Sequence, residues 1–186
     1  MTLKTKMRLY GWTEVAVLEA NGRRKRLWAE NTLGRYIRRH FGADLQGCFL
    51  LGSWTDRLVR ANTITNVGHA AGNGRISNQG SYNAMVNLAI GTGIQGTPAT
   101  ATALAAEITT NGGARGAATA TQVTTTVAND TAQLVKTWTF TGSFAVTEEC
   151  IIDSATSGGN MMAYQSFSAV NVVSTDQLTV THKYQT

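Results

Sequence analysis

Gln177-Leu178-Thr179-Val180-Thr181-His182-Lys183-Tyr184 is the stretch that decides the fold. Leu178, Val180, His182 and Tyr184 alternate with Thr179, Thr181 and Lys183. That period of two marks a half-buried strand, because successive side chains leave a strand on opposite faces. The pattern recurs upstream, where Leu134, Trp138 and Phe140 share one face and Val135, Thr137 and Thr139 the other. Working outward, strands are expected over 84–91, 116–127, 133–144, 148–154, 161–173 and 177–184, with Gly or Asn/Asp turns between them. Such a series predicts a mostly-β protein, an antiparallel β-sandwich of jelly-roll or Ig-like type. The composition agrees: 28 Thr suit pleated surfaces, 19 Gly supply turns, and there is one Pro. Residues 119–126 carry little apolar character and read as an edge strand or arm, which aggregates unless a partner covers it.

The N-terminal third reads differently. A strand is expected over 7–19, with Trp12, Val15 and Val17 as its apolar residues. Asn21-Gly22 is a two-residue hairpin signal, and 24–28 would be the return strand. Asn31 can cap a short helix through Phe41, stopped by Gly42. Leu33, Tyr36, Ile37 and Phe41 fall at helical spacing, which sets Arg35, Arg38 and Arg39 mainly on the other side. The expected organisation is a basic hairpin–helix extension over 1–61, a Gly/Asn-rich loop over 62–83, and a β-sandwich domain over 84–186. A loop of that length inside a domain is expected to be functional or draped over a neighbour.

Residues 1–75 hold 13 Lys+Arg against 5 Asp+Glu, and residues 76–186 hold 3 against 6, for a net charge of +5. Arg23, Arg24, Arg26, Arg35, Arg38 and Arg39 supply much of the excess and form the candidate interface. Three readings compete: docking on an acidic protein partner, phosphate contacts with nucleic acid, and a solvated basic hairpin. No nucleic-acid-binding motif accompanies the charge, so a protein partner is favoured. No apolar run approaches the length of a membrane span and no signal-type segment opens the chain. A soluble product made in the cytoplasm is therefore expected. Cys48 and Cys150 read as two small buried thiols in a reducing compartment, the alternative being a long-range disulfide.

Gly91, Gly93 and Gly96 spell G-x-G-x-x-G, which invites a dinucleotide reading. A strand can precede them, but Thr97-Pro98 and Thr100 displace the helix, and 111–118 offer no acidic residue for a ribose. The expectation is instead a strand, a tight turn at Gly91 and Gly93, where a β-carbon is costly if Gly91 has positive φ, and a helix starting near Thr100. Thr100 or Thr102 would cap that helix, Leu104 and Ile108 would pack it, and Glu107 would face solvent. His40, His69 and His182 fall in separate segments without metal-ligand spacing. Glu148 and Glu149 are adjacent, so in a strand they point to opposite faces and read, with Asp153, as solvated carboxylates. His182 reads as a core histidine with a satisfied partner. No catalytic residue, cofactor or metal ligand is expected, and the chain is read as a non-enzyme.

The order of pieces from 84 to 184 carries a resemblance. Ala89-Ile90-Gly91-Thr92-Gly93 is followed by Thr97-Pro98-Ala99, Thr102-Ala103-Leu104-Ala105-Ala106-Glu107-Ile108 and Glu148-Glu149-Cys150-Ile151-Ile152-Asp153. Gly158-Gly159-Asn160-Met161-Met162-Ala163, Phe167-Ser168-Ala169-Val170 and Asp176-Gln177-Leu178-Thr179-Val180-Thr181 then complete the series. This resembles a recurrent domain of tailed-bacteriophage virion proteins, found in capsid decoration (cement) proteins and in tail or fibre components. Asn21-Gly22 followed by Asn31-Thr32-Leu33-Gly34 resembles the opening of such proteins. The family has no catalytic residues to carry over. The resemblance implies a virion protein that bridges major capsid subunits, with a tail, baseplate or fibre-attachment component as the alternative. A carbohydrate- or receptor-binding module is a more distant one. It implies contact with the major capsid protein or a tail protein, with no membrane and with nucleic acid disfavoured. The weakly apolar edge at 119–126 and the long Asn/Gly loop predict self-association, expected as a trimer.

Overall fold

The computed structural model of the chain describes residues 9–42 and 46–185. Its strands are β1 (Tyr10–Leu18), β2 (Leu27–Glu30), β3 (Gly52–Thr55), β4 (Leu58–Ala61), β5 (Thr63–Ile64), β6 (Asn87–Gly91) and β7 (Gly116–Ala117). β8 (Thr119–Val123), β9 (Thr131–Thr139), β10 (Phe144–Ile152), β11 (Met161–Val172) and β12 (Gln177–Gln185) follow. Two helices, α1 (Thr32–Phe41) and α2 (Asn66–Ile76), and a 3-10 turn at Pro98–Thr100 complete the described elements.

The strands form two five-stranded antiparallel sheets, ordered β4-β1-β12-β9-β8 and β5-β11-β10-β6-β7, plus the ribbon β2-β3. Val15, Val17, Leu134, Trp138, Leu178 and Val180 of the first sheet meet Leu88, Ile90, Ile151, Phe167, Val170 and Val172 of the second in one core. Each such side chain, removed from water, contributes about 1.5–3 kcal/mol. The alternation read from 177–184 holds: Leu178, Val180, His182 and Tyr184 point inward. A register shift between Val146 and Glu148 resets the alternation of β10. Val146 and Ile151 therefore face the inter-sheet core, while Cys150 and Ile152 join Leu104, Met161 and Tyr164 in a second cluster.

Several expectations are corrected. The division into 1–61, 62–83 and 84–186 cuts across the sheets, since β1 pairs with β12 along nine residues and β5 pairs with β11. Residues 1–8, which include the first two of the expected strand over 7–19, lie outside the described residues. The Asn21-Gly22 turn forms, with Gly22 at φ 81°, but only a Leu18–Arg24 bridge continues it and β2 pairs with β3 instead. Trp12 falls on the outer parity of β1, and Thr13 takes the inward position beside Val15 and Val17. The supposed loop over 62–83 contains α2, capped by the Thr65 hydroxyl at Gly68 N. The helix expected from Thr100 to Ile108 does not form. Ile108 N bonds Ile90 O, Thr92 N bonds Ala106 O, and the irregular segment joins β6 by a bridge between Glu107 and Gly91. Glu107 does not face solvent freely but pairs with Arg115. Cys48 is exposed, Cys150 is buried, and both thiols are free.

Candidate interaction surface and cation cleft

α1 is built as its ends dictate. The Asn31 side chain accepts Gly34 N at 2.9 Å, and Gly42 closes the helix in the left-handed region at φ 65°. Its orientation inverts the expected one. The buried edge is Gly34 and Arg38. A Cβ on Gly34 would collide with Leu51 O, and both oxygens of Glu30 accept Arg38 Nε, at 2.9 and 2.8 Å. The apolar stripe therefore faces outward: Leu33 is 56% exposed, Tyr36 55% and Phe41 72%. Phe49 and Leu50 stand out even further, at 79% and 84%. The Phe49 ring meets the buried Trp28 edge-on, 6.3 Å between centroids, and Trp54 meets it at 5.4 Å. The helix thus folds through a glycine and an ion pair and leaves its apolar stripe aimed at water.

Beside the stripe lies a polar cleft of about 370 Å³, between α1 and β11. Arg35, Arg38, Arg39 and His40 line it with Gln165 and Ser166. Arg60, on β4, is close enough to feel the same cations. Its pKa is lowered first by burial and then by Arg35, with Arg38 adding to the effect and Glu30 opposing it. Its guanidinium donates to Glu30 O at 3.0 Å.

The six arginines read as an interface do not share one environment. Arg23 and Arg24 are exposed on the turn after β1. Arg26 donates to Trp54 O at 2.9 Å and sits 3.4 Å from Asp56. Only Arg35, Arg38 and Arg39 meet at the cleft, and Arg38 is committed to Glu30. Arg60, Gln165 and Ser166 were missed, because they come from strands far along the chain and no local spacing announces them.

Glu148 and Glu149 do point to opposite faces, yet neither is solvated: both are fully buried. Glu149 Oε2 lies 3.2 Å from His182 Nδ1, and Thr13 Oγ1 donates to Glu149 Oε1 at 2.8 Å, tying the two sheets together. Asn62 Nδ2 meets His182 Nε2, so the histidine has partners on both ring nitrogens. On the other face, Glu148 accepts Gly93 N (3.2 Å), Ala105 N (3.1 Å), Ala106 N (2.8 Å) and Tyr164 OH (3.1 Å). The amides around the glycine turn thus converge on the protein's own carboxylate. Asp153 is likewise buried and accepts from Asn160 N at 2.7 Å. At Gly91 it is crowding and not positive φ that excludes a side chain, since a Cβ there would lie 2.5 Å from Ala106 O and Glu148 Oε1. A second cavity, about 440 Å³ and mainly apolar, opens beside β8, with Leu134, Met85, Val86 and Tyr184 in its wall.

No helix among the described residues is long and apolar enough to cross a membrane. No family model, curated protein or solved structure matches the chain.

Proposed function

We propose that this chain is a structural protein of a tailed-bacteriophage virion, a capsid decoration protein that bridges neighbouring major capsid subunits and works without catalysis. The observation that carries a docking role is the outward apolar stripe of α1, continued by Phe49 and Leu50. The resemblance over 84–184 supplies the virion context and the finer fold type, a jelly-roll or Ig-like sandwich. Docking repeated over a symmetric shell holds through avidity, so each contact can be weak. The test is addition of the purified chain to particles lacking it, followed by imaging. Density repeated over the shell lattice is the expected result. Density at one vertex would instead make it a neck or tail component, and a chain absent from purified particles would overturn the virion reading.

A further inference from the structure

Arg35, Arg38, Arg39 and His40 crowd one cleft, with Arg60 nearby, and among the described residues Glu30 is the carboxylate paired against them. Arg38 is only 7% exposed, and its Nη1 has no hydrogen-bond partner. Glu30 holds its Nε from below, so the guanidinium cannot swing away to find one. Arg39 and His40 donate no hydrogen bond among the described residues, and Arg35 has only a 3.3 Å contact to Thr32 Oγ1. Tyr36, its ring tilted against His40 with centroids 4.4 Å apart, adds an aromatic wall. Like charges held this close repel, and guanidinium forks match the oxygens of phosphate and carboxylate. The space is also ample, since one water occupies about 30 Å³.

We infer that this cleft is an oxyanion site, seating a phosphate or carboxylate group against Arg35, Arg39 and His40 over the fixed Arg38. The site goes beyond the virion reading and is tested on the free protein, so either can fail alone. The experiment titrates inorganic phosphate, and separately acetate, into the purified chain at ionic strength held constant with chloride. Arginine side-chain NMR signals and the thermal midpoint are followed. Saturable shifts are expected for wild type, weakened at least tenfold in Arg35→Gln/Arg39→Gln and unchanged in Arg23→Gln/Arg24→Gln. Response to both anions assigns the site to oxyanions generally, and response to phosphate alone narrows it to the tetrahedral dianion. No saturable shift with either anion would overturn the site. So would equal shifts in the Arg35/Arg39 variant, or an equal loss in the Arg23/Arg24 control. Both altered pairs are exposed, and circular dichroism verifies that the variants are folded.

Discussion

Gly91, Tyr184 and Glu148 are governed by what surrounds them, and three substitutions separate the causes. Gly91→Ala forces a Cβ into Ala106 O and the Glu148 carboxylate, which disturbs every amide that carboxylate holds. Overpacking of this kind costs about 1–3 kcal/mol. Gly96, three residues past Gly93, has nothing within 4 Å of a built Cβ. Gly96→Ala should therefore stay within about 0.5 kcal/mol of wild type in urea unfolding, while Gly91→Ala loses the larger amount. The Tyr184 hydroxyl is buried without a partner. Removing it in Tyr184→Phe should leave stability at pH 7 unchanged or raise it by about 1 kcal/mol. Burial first, and then Glu149, push the Tyr184 pKa well up. The folded state thus favours the protonated phenol, whose stabilisation is complete below the unfolded pKa of about 10 and is lost as pH rises beyond it. Urea midpoints between pH 7 and 11 should fall for wild type and fall less for Tyr184→Phe. Tyr164, raised by burial in the same direction, keeps part of the alkaline loss in both.

At the level of the element, α1 shows how function and folding can be separated on one helix. Leu33→Ser with Phe41→Ser changes exposed side chains and should alter stability by no more than about 0.5 kcal/mol, while particle binding is lost. Arg38→Ala should do the reverse in kind: it strands Glu30, itself buried, and destabilises the chain by about 3–5 kcal/mol. Chemical denaturation and a particle-binding assay on the same samples give both readouts. The ends of this helix were legible in Asn31 and Gly42, and the long strands in their alternation. Its orientation was not, because hydropathy assigns Leu33, Tyr36 and Phe41 to a core they do not enter. α2 was invisible for a related reason. Its buried residues are Gly68, Ala71 and Gly74; Gly68 lets its backbone approach Met162 of β11, Gly74 lets Gln79 and Tyr82 close on it, and small residues leave no apolar signal. The helix expected at 100–108 is lost to competition from outside it: Glu148 captures the Ala105 and Ala106 amides that a helix would have used. Of the cation cleft, the Arg35/Arg38/Arg39 spacing was readable, whereas Gln165 and Ser166 arrive only by folding.

At the scale of the whole molecule, an exposed sheet margin and a long-range seam stand out. β8 is the terminal strand of the first sheet, exposed along most of its length and paired only with β9. Unpaired strand edges recruit another strand, so self-association is expected there, as a trimer in sedimentation. Thr121→Lys, which adds a charge mid-strand, should shift that equilibrium toward monomer without unfolding the chain. A wild-type protein that stays monomeric at high concentration would remove this expectation. The seam at the centre of the same sheet has another consequence. Thr13 and His182 face each other in β1 and β12, 169 positions apart. Synthesis of β12 follows that of every other described strand, so β1 must wait for its long partner while the residues between Leu18 and Gln177 are made. Contacts of such separation fold slowly. Until then Tyr10–Leu18 has only the four-residue pairing with β4, so the interval without its long partner is set by the speed of synthesis, and it is then that a nascent chain most needs a chaperone.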